Sequence, residues 1–319
     1  MATTDFVAAQ AANRRNTLLL LVILTALAAV FGYVIGWVLE GELRDAVVFV
    51  SFAGLVGAAV LAAASVIWSG ISLAFGDRMV LSMADAKPIE KADAPQLYNV
   101  VEEMSLAAGV PMPRVMVMDV DALNAFATGT STSHSAIVVT RGLLQTLNRE
   151  ELQGVIGHEM GHIANLDTRY MTVVGVTVGL IALVSSMILQ TMRWGSYSGS
   201  SSSSDRKSSG GSAILIIVLL VVAVLAPLAA KAVQMAVSRQ REYLADATSV
   251  RFTRNPDGLI SALRKLEAAA GKPFPGVSDA TQHLFIVNPM RAMTAKTSAL
   301  MATHPDLESR IERLRNLGA

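Results

Sequence analysis

Two things are scarce in this chain. There is no cysteine among its 319 residues. That excludes disulfides and any thiolate metal site, so a bound metal has to be held by His, Asp or Glu. It is compatible with a reducing cytosolic face. Charge is scarce as well: only 16% of residues are Asp, Glu, Lys or Arg, against roughly 25% in soluble domains. With 52% hydrophobic residues and a mean hydropathy of +0.48, so few charges cannot coat a soluble protein of this size. Membrane lipid is therefore the expected surroundings. A net charge of +1 gives no electrostatic case for nucleic acid or an acidic partner.

The apolar residues are gathered into four runs. Residues 17–38 carry no charge over 22 positions, about 33 Å of helix at 1.5 Å per residue, enough for a hydrocarbon core of about 30 Å. A signal peptide would have a shorter apolar stretch and a small-residue cleavage site. A second charge-free run, 46–76, follows after a very short loop, so the two form a transmembrane hairpin. Arg14 and Arg15 precede it, and Glu40, Glu42 and Asp45 lie in its loop. That bias puts the N-terminus in the cytoplasm. The third and fourth runs, 171–192 and 213–230, form a second hairpin around a Ser- and Gly-dominated loop at 195–212. Such a loop cannot bury a core and is a tether. Its neighbouring Arg193, Arg206 and Lys207 sit poorly with translocation, and buried core helices would look much like these two later runs.

The expected organisation is a membrane hairpin at 1–76, a first soluble part at 77–170, the second hairpin at 171–232 and a second soluble part at 233–319. In the first soluble part, Pro95 and Gly109 bracket a helix. Strands are expected at 114–119, 124–129 and 135–139, which are short and rich in β-branched residues. Asn148 followed by Glu151 forms a capping-box pattern that opens a helix running to about Asn165.

That helix carries His158-Glu159-Met160-Gly161-His162. Residues four apart project from one helical face, so two imidazoles can grip one zinc ion, with Glu159 placed as the general base for its water. A third protein ligand is needed. No further histidine follows at the spacing of the metzincins. Glu242 and Asp246, also four apart, are the carboxylate option: Glu242 as ligand, with Asp246 accepting the free N–H of a ligating imidazole. With Arg239 and Arg241 beside them, they also fit a solvated charged helix, which spacing alone slightly favours. His134 and His283 read as loop or packing residues, and the fifteen methionines as core or lipid filler.

Taken together, HEMGH at 158–162, SRQREYLAD at 238–246, NAFATG at 124–129, HLFIVNP at 283–289, and THP at 303–305 followed by Arg310-Ile311 resemble the HtpX-type membrane zinc endopeptidases, relatives of the CAAX prenyl proteases. The likeness covers nearly the whole chain. It implies a membrane α-helical plus α+β protein with four transmembrane helices. Its gluzincin-like peptidase domain would hold a small β-sheet, an HExxH helix and an ExxxD helix. It further implies one zinc ion held by His158, His162 and Glu242, with Glu159 as base and Asp246 behind a ligand. His304 and Arg310 would lie near the cleft. Asn124, Ala125, Phe126, Ala127 and Thr128 would form the sheet edge that receives an extended polypeptide substrate. The implied setting is the cytoplasmic (inner) membrane, with the active site facing the cytoplasm and damaged or misfolded membrane proteins as substrates in a stress-response, quality-control role. Two rival readings are a site-specific processing protease of the CAAX type and a non-catalytic membrane scaffold with a structural metal. Fewer expected spans than the CAAX enzymes weigh against the first, and an intact Glu159 against the second.

Overall fold

The first two charge-free runs form helices longer than the runs themselves. The computed structural model describes residues 6–44, 50–180, 239–269, 284–286 and 307–318. Helix α1 covers Phe6–Arg44 and α2 covers Phe52–Met83. Within them, Ala8–Val38 (31 residues, mean hydropathy 2.8) and Phe52–Met83 (32 residues, mean hydropathy 1.9) are long and apolar enough to cross a membrane. The chain divides into two units. One takes Leu73–Val176 with the described parts of Met1–Thr17 and Val233–Ala319; the other takes Leu18–Ser72 with the described part of Thr177–Ala232.

In the second unit α1 and α2 pack backbone to backbone. A Cβ on Gly32 would sit 2.1 Å from the carbonyl oxygen of Gly57. Only glycine permits that approach, the usual way helices associate in lipid. Glu40 is buried and caps α2: its Oε2 accepts from Ser51 Oγ at 2.5 Å and from the Ala53 amide at 3.1 Å. Leu18, Val22, Val30, Val56, Val60 and Ile67 stay exposed, an apolar surface suited to lipid and unfavourable in water.

The first unit is built on a four-stranded sheet. Strands β1 (Lys87–Pro88), β2 (Arg114–Met118), β3 (Ala125–Ser131) and β4 (His134–Thr140) lie in the order β1-β2-β4-β3. The β2–β4 pair is parallel and the others antiparallel, which leaves β3 on an edge. Helix α3 (Pro95–Ala108) ends at Gly109, in the left-handed region at φ 66°. Its Leu97, Val100, Val101 and Met104 repeat at helical spacing and enter the core. A short helix α4 (Arg141–Thr146) is capped by Thr140. Helix α5 (Arg149–Ala164) opens with both halves of the capping box in place: Asn148 Oδ1 accepts from the Glu151 amide at 2.9 Å, and Glu151 Oε2 from the Asn148 amide at 2.8 Å. Lys265 Nζ, 2.7 Å from Glu151 Oε2, adds a charge partner, and the pKa of Glu151 is lowered: burial opposes this, but Lys265, Ser261 and the Asn148 amide outweigh it.

Every residue of α5 from Gly154 to Ala164 is buried. Helices α7 (Arg239–Thr253) and α8 (Pro256–Ala268) enclose it, and α9 (Leu307–Gly318) adds Leu307, Ile311 and Leu314 to the same core. Between α5 and α7 comes α6, helical over 167–180. Its Tyr170, Met171, Val173, Val174 and Val176 are buried. The third apolar run therefore begins inside the first unit, whose boundary falls after Val176. Residues 181–192 of that run, the loop 195–212 and the run 213–230 lie outside the described residues.

Gly154 is where α8 comes closest: a Cβ there would meet the Leu259 backbone nitrogen at 2.6 Å, and a backbone contact cannot swing away. Gly154→Ala is expected to destabilise the first unit by roughly 1–3 kcal/mol, visible as a lowered unfolding midpoint in detergent; an unchanged midpoint would show that this contact yields.

Candidate metal centre

Residues from distant parts of the chain meet on one face of α5. His158 and His162 project from successive turns, and α7 brings Glu242 across to them. The three are buried, and one donor atom from each lies within 4.8 Å of the others. The Nε2 atoms of the histidines are 3.2 Å apart. His158 Nε2 lies 3.7 Å from Glu242 Oε2, and His162 Nε2 lies 3.6 Å from Glu242 Oε1.

The outer nitrogens explain this geometry. His158 Nδ1 is 2.9 Å from Asp246 Oδ1, and His162 Nδ1 is 3.0 Å from Asp167 Oδ2. A carboxylate partner assigns the proton to Nδ1 and turns the Nε2 lone pair inward. Two lone pairs facing each other at 3.2 Å beside a carboxylate repel unless a cation or a proton lies among them. Tetrahedral zinc with bonds of about 2.0–2.2 Å requires donor separations of about 3.3–3.6 Å; the histidine nitrogens stand 3.2 Å apart and lie 3.7 and 3.6 Å from the two oxygens of Glu242, close to that range. The donor set of two imidazoles and one carboxylate therefore fits a zinc ion.

Arg310 organises the far side. Although only 1% exposed, it donates from Nε to Asp246 Oδ2 at 2.8 Å and from Nη2 to Asp246 Oδ1 at 2.7 Å, while Nη1 lies 3.4 Å from Glu242 Oε2. Sited behind the ligands, it holds Asp246 and Glu242. Asp246 is pulled below the usual carboxylate range: burial acts against this, but Arg310 and His158 prevail. His158 is lowered, first by burial and then by Arg310 and His162, which keeps its imidazole neutral. Burial also opposes charge on His162, yet Asp167, Glu242 and Glu159 raise it to about 9.

Glu159 is 1% exposed. Its pKa is pushed up to about 7, chiefly by burial and further by Glu242; His162, the Ala127 amide and Arg310 act the other way. The amide contact places β3 beside this carboxyl. Along β3, Asn124, Ala125, Phe126, Ala127 and Thr128 are buried. The Ala125 carbonyl accepts from the Ile286 amide at 3.0 Å, and the Phe285 ring meets Phe126 edge-on at 4.9 Å. Part of the strand's outer edge is thus already covered. His304, expected near the cleft, and His283 lie outside the described residues, and His134 sits exposed at the β3–β4 turn, bonded to Ser131 and Ser133.

Asp167, Arg241 and Asn13 were not singled out from sequence. Asp167 Oδ1 lies 3.4 Å from Arg241 Nε and 2.7 Å from Asn13 Nδ2. An acidic residue five positions after the second histidine was a readable signal for Asp167; nothing marked Asn13.

The model of "Peptidase family M48" matches residues 91–318. A "Protease HtpX homolog" of Streptococcus agalactiae is 41% identical over 308 residues, covering 96% of this chain and 98% of the relative. One from Thermoanaerobacter pseudethanolicus is 42% identical over 308 residues, covering 97% and 96%. The crystal structure of S. mikatae Ste24p is similar with a TM-score of 0.45 at 19% identity, over 78% of this chain and 56% of that one.

Two outcomes are expected. Arg310→Met leaves two buried carboxylates uncompensated and should cost about 3–5 kcal/mol in unfolding experiments; Arg310→Lys should not restore it, because the two-pronged grip on Asp246 needs a guanidinium. Zinc binding must displace the His162 proton held with a pKa of about 9. Apparent zinc affinity should therefore fall about tenfold per unit as pH drops from about 8 to 7, as measured by competition with a chromophoric chelator. An affinity flat over that range would show that His162 binds no proton there.

Proposed function

The chain belongs to peptidase family M48 and is a metalloprotease of the HtpX type, and we propose that it is a membrane-bound zinc endopeptidase cutting damaged or misfolded membrane proteins in their cytosolic segments. The observation that carries this reading is the convergence of His158, His162 and Glu242, with a buried Glu159 alongside.

In this reading His158, His162 and Glu242 hold one zinc ion, and zinc supplies a Lewis acid for the water and the scissile carbonyl. Everything else falls to the protein. Burial raises the pKa of Glu159, which moves its carboxyl toward the neutral range where proton exchange suits a general base. As a carboxylate it takes a proton from the water as the O–C bond forms. As an acid it passes that proton to the amide nitrogen as the C–N bond breaks. Asp246 and Asp167 hold the imidazole tautomers, and Arg310 holds Asp246. Asn124 to Thr128 form the edge along which an extended substrate lies. The position of β3 at the sheet edge supports this, as does the Ala127 amide beside Glu159. A substrate strand there takes over the hydrogen bond that Ile286 now gives to Ala125. His304 is assigned to the carbonyl oxygen of the scissile bond.

The membrane setting rests on the two candidate spans and the family. We assign four spans and a cytoplasmic active site, with Arg14 and Arg15 on the cytoplasmic side. α5 ends seven residues before the third apolar run begins at Met171, so a site near the membrane surface suits segments emerging from it.

Replacing Glu159 with Gln should lower cleavage of casein and of an unfolded membrane protein by about 10²–10⁴-fold, with about one zinc per chain retained. Undiminished proteolysis by the purified variant would refute the mechanism. Preference for a prenylated peptide over the unfolded membrane protein would instead favour the processing role.

A further inference from the structure

We infer that Asn13, in the first turns of α1, is a positioning residue of the metal centre, acting on His162 through Asp167. The inference rests on the zinc reading above. Asn13 lies four residues before Thr17, where the first apolar run begins, yet it is only 5% exposed. Its Nδ2 lies 2.7 Å from Asp167 Oδ1 and 3.0 Å from the carbonyl of Asn165. Both partners are acceptors, which fixes the amide's orientation and uses both of its N–H groups.

The two bonds do separate things. The last carbonyls of α5 have no partner within the helix and need donors from elsewhere. Asn13 supplies one to Asn165, and Gln10 Nε2 supplies another to Ala164 at 2.7 Å. The bond to Asp167 reaches the site. One oxygen of Asp167 receives the His162 Nδ1 proton at 3.0 Å, and the other is held by Asn13 at 2.7 Å, closer than Arg241 Nε at 3.4 Å. Asn13 thereby sets the rotation of the carboxylate that sets the rotation of the ligand ring. Serine offers one donor here and aspartate none, so asparagine is suited to the double contact. The segment that leads into the first membrane span thus completes the support of a zinc ligand, and metal affinity depends on an intact N-terminus.

The test uses the full chain in detergent or nanodiscs, with the zinc dissociation constant measured by chelator competition. Asn13→Ala is expected to raise it about tenfold, Asn13→Asp to raise it further through like charge beside Asp167, and Asn13→Ser to fall between wild type and Asn13→Ala. In an Asp167→Asn background, Asn13→Ala is expected to add nothing. Should Asn13→Ala fail to fold, the Ser and Asp variants are compared in the same two backgrounds. A dissociation constant within twofold of wild type in the Asn13 variants overturns the inference. So does a loss that persists in full in the Asp167→Asn background, because Asn13 would then act only through the end of α5. A wild-type chain that binds no zinc overturns the zinc reading and this inference together; zinc binding indifferent to Asn13 overturns this inference alone.

Discussion

Two imidazole Nε2 atoms stand 3.2 Å apart in a buried interior, each turned there by a carboxylate behind it. That arrangement is unfavourable by itself, because lone pairs face one another and a third acceptor, Glu242, closes the triangle. Only positive charge among the three relieves it. The surrounding charges follow from the same need. Asp246, Asp167 and Glu242 are all buried, and buried anions are tolerated only when paired and hydrogen-bonded. Arg310 answers Asp246 and Glu242, and Arg241 with Asn13 answers Asp167.

Such a cluster demands rigid support, and the rest of the first unit supplies it. α5 is fixed at its start by the Asn148–Glu151 capping box and the Lys265 ion pair. At its far end, side chains of α1 take the open carbonyls. On its flank, Ser249 Oγ of α7 donates to the Gly154 carbonyl at 2.7 Å, setting the register of the helix that carries Glu242 and Asp246. The sheet closes the remaining side and puts Ala127 against Glu159. Each support comes from a different element, so the site is a property of the whole unit.

The dispersed construction runs far along the chain. Its ligands are contributed from both sides of a long apolar insertion, 80 positions from His162 to Glu242. The donors to the end of α5 come from the approach to the first span.

Much of this was legible before any coordinates. A helix opened by Asn148 with two histidines on one face depends only on local chemistry, and the structure has that helix with both halves of the cap. The strands expected at 114–119, 124–129 and 135–139, found at 114–118, 125–131 and 134–140, and the helix ended by Gly109 were readable to within a few residues, because turn residues and side-chain alternation act over short distances. Glu242 was different: beside Arg239 and Arg241 its spacing leaned toward a solvated helix, and only the family resemblance favoured a ligand. Arg310 read as an arginine of an amphipathic helix or a cleft residue, and it proved to be buried behind Asp246. Asn13 carried no mark at all. The sequence by itself determined which residue types could hold a metal and the helix that presents two of them, since four residues along a helix is a fixed distance in space. Which carboxylates and arginines complete that site was decided by the tertiary structure alone, because pairing charges in a buried interior depends on distances between elements, and local spacing does not contain those distances.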